Sequence, residues 1–171
     1  MGRKLTSGDL ARIYDAYAAA MFRHGMALLR DEAAVRDLIQ DVFVKLAGGR
    51  MALEQAGAER TYLLRMVHHA AVDRMRREAV RRDHVEQASG QGELFATTPD
   101  PDASAFRASL EAAMSELPAE QREVVALKLA EGLTFQEIAE ISGISINTAA
   151  SRYRYALDKL RGLLRPVYEE L

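Results

Sequence analysis

Residues 134–155, TFQEIAEISGISINTAASRYRY, decide the fold. Thr134-Phe135-Gln136-Glu137 has the form of a capping box, in which the threonine hydroxyl and the glutamate carboxylate each satisfy a backbone N–H at a helix start. Ser142-Gly143 stops that short helix. Ser145 can cap a second, longer helix running from Ile146 to about Arg165, which Pro166 closes. Small residues stand where two crossing helices need them: Ala139 in the first helix, Gly143 in the turn, Ala149 in the second. Ile138, Ile141 and Ile144, with Ile146 as a further contributor, offer the apolar face that holds the two helices at an angle. This pattern is a helix-turn-helix, whose second helix lays its N-terminal residues in a DNA major groove. In that register Ile146, Asn147, Ala150, Ser151 and Arg154 face base edges, while Thr148 and Arg152 suit phosphates. The bland alternative is a three-helix bundle whose turn merely contains glycine.

Upstream of this motif the spacing predicts a helix from Phe106 to Ser115. A break follows at Leu117-Pro118, where the prolyl ring disfavours helix at the residue before it but suits a first helical turn. The next helix runs to about Ala130 and ends at Gly132. Before residue 106 the pattern changes. Residues 84–105 hold turn and breaker residues, no Lys or Arg and four acids, and no helical period survives there. A structureless stretch of that length inside one compact domain is uncommon, so it reads as a linker.

The N-terminal half predicts three more helices. Ile13, Tyr17, Met21, His24 and Leu28 recur along one face between Ser7 and Arg30. Val35, Leu38, Ile39, Val42, Phe43 and Leu46 make a full stripe on the second, which Gly48-Gly49 stops. After a loop to about Gly57, the third runs from Ala58 to Asp83, with Tyr62, Met66 and Ala70 on one stripe. The expectation is an all-α chain of two small helical domains, 1–83 and 106–171, joined by a flexible linker at 84–105.

Composition narrows the function. The chain has 171 residues, no cysteine, 49% apolar and 28% charged residues. A disulfide framework, thiolate metal site and cysteine nucleophile are excluded. No run approaches a membrane span, and the first residues lack the apolar core of a secretory signal, so a cytoplasmic protein without membrane insertion is expected. The net charge of −2 hides a distribution: residues 1–83 carry 15 basic and 11 acidic residues, and residues 106–171 carry 8 and 10. Arg74, Arg77 and Arg81 share one face of the third helix and could track phosphates, although a solvated helix end explains them equally well. Enzymatic chemistry has little material. His24, His68, His69 and His84 are the only imidazoles; His24 falls on an apolar stripe, and adjacent His68 and His69 point about 100° apart on a helix. No catalytic residue, cofactor or metal is expected.

Residues 117–164, including Leu117-Pro118-Ala119-Glu120-Gln121-Arg122-Glu123-Val124 and Glu131-Gly132-Leu133-Thr134-Phe135-Gln136-Glu137-Ile138-Ala139, resemble region four of bacterial RNA polymerase sigma factors. The group most similar is the short, two-domain extracytoplasmic-function (ECF) type of the sigma-70 family. Asp37-Leu38-Ile39-Gln40-Asp41-Val42-Phe43-Val44-Lys45-Leu46 resembles the family's region two helix that docks on the polymerase clamp. Tyr62-Leu63-Leu64-Arg65-Met66-Val67 and Ala71-Val72-Asp73-Arg74-Met75-Arg76-Arg77 resemble the helix that meets the minus-ten promoter element. The resemblance implies a sigma factor that binds core RNA polymerase and directs promoter-specific initiation. Asp37, Gln40, Asp41 and Lys45 would then face polymerase, and Tyr62, Arg65, His69, Asp73, Arg74 and Arg77 the melted non-template strand. The seven recognition-helix residues named above would meet double-stranded minus-thirty-five DNA. An anti-sigma partner is implied as well. The family usually has Trp at the position of Tyr62, Asn at that of His69 and Lys at that of Ala150.

The alternative is a helix-turn-helix regulator that binds palindromic operators as a dimer without joining polymerase. Residues 1–83 offer no phosphoacceptor strand or ligand-binding sheet to support it. If 84–105 is a solvated tether, limited proteolysis of the free protein will cut there and leave two folded fragments; cleavage inside a predicted helix instead would displace the boundary.

Overall fold

A computed structural model describes residues 3–51, 56–82 and 101–169. The chain divides into two compact units, residues 1–92 together with Glu140–Ser142, and residues 93–139 together with 143–171. The first is a three-helix bundle of α1 (Ser7–Leu29), α2 (Glu32–Gly48) and α3 (Ala56–Arg82), each packed on the other two. Thr6 and Asp9 start α1 with a reciprocal capping box: the Asp9 N–H donates to Thr6 Oγ1 at 3.2 Å, and the Thr6 N–H to the Asp9 carboxylate at 2.8 Å. Asp31 caps α2 by accepting the Ala34 N–H at 3.0 Å. The core is built from Ile13, Met21, Met26, Val35, Leu63, Leu64 and Val67, all essentially sealed from water. At Gly25 helices α1 and α2 come so close that a Cβ would sit 2.8 Å from a Val35 methyl, which explains glycine inside α1.

Most of the expected α1 and α2 faces are buried, Ile13, Met21, His24 and Leu28 on α1 and Val35, Leu38, Ile39, Val42 and Leu46 on α2, whereas Tyr17 and Phe43 are only half-buried. Helix α3 differs in its face. Its core side is Leu63, Leu64, Val67 and Ala71, whereas Tyr62 is exposed and Met66 and Ala70 are half-buried. Apolar or small residues occupy nine of the twelve positions from 61 to 72, on more than one face, so periodicity alone fixes the face of this helix poorly. The loop expected after Gly48 contains Arg50–Met51 (β2), paired antiparallel with Arg3–Lys4 (β1) in a two-residue ladder. Its remaining residues, 52–55, lie outside the described ones.

The second unit comprises α4 (Pro101–Ser115), α5 (Ala119–Leu129), α6 (Phe135–Ser142) as far as Ala139, and α7 (Ile146–Glu169), with α7 packed on α4 and α5. Of the expected linker, 84–100 lies outside the described residues and 101–105 belongs to α4. Proline at a first helical position lacks only an N–H that would be unbonded anyway, which permits this earlier start. Pro118 stands at the cap of α5, and the buried Arg122 guanidinium donates to the Leu117 carbonyl at 2.9 Å, tying the break to the helix after it. Helix α7 does not end at Pro166. It continues to Glu169, and the i,i+4 pair Arg165–Glu169, at 2.8 Å, runs across the proline turn.

One buried carboxylate fixes α3 against α1. Arg12 grips Glu59 with two N–H···O bonds of 2.7 and 3.1 Å, and Tyr17 also bonds that carboxylate. The Arg12 hydrogen bonds hold the Glu59 carboxyl below the usual range, overcoming the burial that would raise it. A depressed folded-state pKa adds stability above the ordinary carboxylate range, and that stability disappears as pH falls through the lowered value. Glu59→Gln will therefore lower the melting temperature at neutral pH, and thermal melts will converge with wild type in acid. A gap that stayed constant into acid would contradict this role for the charge.

Candidate nucleic-acid interface

The helix-turn-helix forms as its sequence dictates. The Glu137 N–H donates to Thr134 Oγ1 at 3.2 Å, and the Thr134 N–H donates back to the Glu137 carboxylate at 2.7 Å. Gly143 closes α6 in the left-handed region, at φ 64°, with its N–H on the Ala139 carbonyl. The Thr148 N–H donates to Ser145 Oγ at 3.0 Å, and the two hydroxyls lie 2.8 Å apart, so the first turn of α7 is capped. Ile138, Ile141, Ala139 and Ala149 are buried as expected and Ile144 is half-buried. Ile146 is not part of that interior: half of its surface is exposed.

Sequence reasoning missed an aromatic column beside this motif. Lys128 holds its ammonium 4.8 Å from the centre of the Phe135 ring and donates to the Leu133 carbonyl at 2.9 Å. Phe135 in turn meets Tyr153 edge-on, with ring centres 5.5 Å apart. The column joins the end of α5, the start of α6 and the second turn of α7, and so fixes the angle at which α7 is presented. On α7, Ile146, Asn147 and Arg154 are exposed, and Thr148, Ala150, Ser151 and Arg152 are half-buried. The Arg154 guanidinium rests 5.2 Å from the exposed Tyr155 ring, a contact that limits its rotamers without removing it from solvent.

In the first unit, Asp37, Gln40, Asp41 and Lys45 form an exposed row on α2. Val44 sits within that row with 67% of its surface exposed, and the half-buried Phe43 beside it packs its ring 5.6 Å from the exposed Tyr14. The row is thus apolar at its centre, which matches the centre of protein interfaces more than a solvated helix face. The signal was present in the sequence as a valine off the core stripe.

On α3 the outward face carries Tyr62, Arg65, His69 and Asp73 at i, i+3, i+7 and i+11. The Arg65 guanidinium lies 5.8 Å from the Tyr62 ring centre. Arg77 donates to the Asp73 carbonyl at 3.2 Å, and Arg74 pairs with Glu78 at 3.3 Å. A groove of about 280 Å³ between α2 and α3 brings Asp41 and Lys45 together with Asp73, Arg74, Arg77 and Arg81. The sequence had divided these residues between two partners. The structure places them along one channel in which four cations face three carboxylates, counting Glu78.

Comparison with known proteins identifies the family. Residues 13–81 match the family described as "Sigma-70 region 2", and residues 107–160 match "Sigma-70, region 4". The ECF RNA polymerase sigma factor SigK of Mycobacterium tuberculosis is 30% identical over 167 residues, covering 90% of this chain and 84% of its own. The RNA polymerase sigma factor CarQ of Myxococcus xanthus is 30% identical over 140 residues, 80% of this chain and 78% of its own. The structure of the sigma factor RpoE of Bartonella quintana, solved with the anti-sigma factor NepR, shares the fold with a TM-score of 0.66 at 22% identity. That match covers 92% of this chain and 97% of RpoE. The chain belongs to the ECF group of the sigma-70 family of RNA polymerase sigma factors.

The cap at Ser145 is the most local support of the presented helix. Ser145→Ala will cost about 1 kcal/mol of stability, read as a lower melting temperature in calorimetry. An unchanged transition would show that the cap is redundant with the aromatic column.

Proposed function

We propose that this sigma factor acts by binding alone, through three surfaces used together in the cytoplasm. The α2 row of Asp37, Gln40, Asp41 and Lys45, centred on Val44, docks on core RNA polymerase. The outward face of α3, with Tyr62, Arg65 and His69, receives the melted non-template strand of the minus-ten element, where Tyr62 supplies a stacking surface. Asp73, Arg74 and Arg77, with Arg81, line the groove that the strand's phosphates would follow. The first turns of α7 enter the major groove of the minus-thirty-five element. The observation that carries the reading is the order of parts on one chain: a region 2 bundle, then a capped helix-turn-helix whose second helix leaves Ile146, Asn147 and Arg154 exposed. An anti-sigma protein is the expected regulator, a reading supported by the partner solved with the Bartonella relative.

The base-reading roles on α7 divide by geometry. Arg154, exposed and aligned with Asn147 and Ser151, is placed to read guanine through O6 and N7. Arg152 lies about 200° away around the helix and suits a phosphate. Arg154→Ala will cost about 1–3 kcal/mol on the preferred sequence and relax preference at one position. Arg152→Ala will weaken all sequences alike and lower the salt slope by about one. Selection from a random duplex library with both variants checks this, and the reverse assignment would show a wrong helix register. Reversing the charge of Asp41 will weaken binding to core polymerase with helicity intact by circular dichroism; unchanged affinity would move the docking surface off α2.

A further inference from the structure

The most solvent-exposed aliphatic group at the DNA-entering end of the second unit is unexplained by folding. Ile138, Ile141 and Ala149 fill the interior of the motif, whereas Ile146 keeps 50% of its surface in water at the first position of α7. A β-branched residue is a weak helix former, and exposed apolar area is unfavourable, so stability does not account for isoleucine here. The side chain nonetheless stands on a fixed base, since Ser145 and Thr148 lock the turn that carries it. Around the helix Ala150 lies about 40° from Ile146, and Arg154, Asn147 and Ser151 follow at about 80–140°. The entering end of α7 therefore carries an apolar strip, Ile146 with Ala150, directly beside a polar strip.

In the major groove each base pair presents hydrogen-bonding groups, and only thymine adds an apolar one, the C5-methyl. We propose that Ile146, flanked by Ala150, is a specificity-determining residue that packs on a thymine C5-methyl in the minus-thirty-five element. The inference rests on the reading that α7 enters the major groove, and it adds the base that this edge of the helix selects. Asn147, Ser151 and Arg154 then read hydrogen-bonding edges next to that methyl.

The test uses the full chain with core polymerase on its selected promoter duplex, with each minus-thirty-five thymine replaced in turn by deoxyuridine. That replacement deletes the methyl and leaves the hydrogen-bonding edge intact. One position should weaken binding about fourfold, the worth of one buried methyl-sized group. Ile146→Val should keep most of that penalty, and Ile146→Ala should erase it, binding the thymine and uracil duplexes equally. Because Ile146 is exposed, circular dichroism should show both variants folded. Insensitivity at every position, or the same penalty in Ile146→Ala, overturns the proposal while sequence-selective promoter binding stands. Absence of any sequence-selective binding by the unaltered chain overturns the major-groove reading, and this inference with it.

Discussion

The left-handed backbone at Gly143 is the constraint on which the presented surface of the second unit depends. With φ at 64° it ends α6, turns the chain in two residues and delivers Ser145 to the position where its hydroxyl caps α7. A Cβ at this glycine would meet no atom within 4 Å, so the requirement is conformational and not steric; a left-handed residue other than glycine is disfavoured by about 1–2 kcal/mol. From that turn follow the exposure of Ile146 and Asn147, the burial of Ala149 and the outward placement of Arg154. The column of Lys128, Phe135 and Tyr153 then braces what the turn has set.

The first unit is organised by a different balance. Its core is apolar and close-packed, down to the glycine at the α1–α2 contact, and a single buried carboxylate with a bidentate arginine joins α1 to α3. With the three helices held in this way, long stretches of α2 and α3 are left to face outward. Those faces are not alike. The α2 row has an apolar centre with a charged rim, as a protein interface does. The α3 face mixes an aromatic ring, imidazole and arginine, as a surface for unstacked bases does. The charged groove between them joins the two.

Much of this was legible in the sequence, and the exceptions have physical causes. Capping residues and glycines placed the helix-turn-helix, since Thr134, Glu137, Gly143 and Ser145 each have one strongly preferred role at a helix end. The α2 stripe was clear because Val35, Leu38, Ile39, Val42 and Leu46 keep the helical spacing over more than three turns. Helix α3 was placed correctly in sequence, but its core face was not, because Tyr62, Met66 and Ala70 make a second apolar stripe beside the buried one. Tyr62 faces outward instead. Pro166 misled because an exposed helix end tolerates the loss of one backbone bond. Val44 and the aromatic column were overlooked because each depends on partners distant in sequence or on the absence of one.

The central claim is that this one chain couples core polymerase to promoter DNA, and transcription in vitro measures it most directly. Core polymerase, with and without the protein, should be given a genomic promoter library under conditions where core alone initiates only at random. The account predicts transcripts with defined starts, produced only when the protein is present, downstream of a shared pair of spaced elements. An unchanged background of random starts, with the protein bound instead as a dimer to palindromic sites, would contradict it.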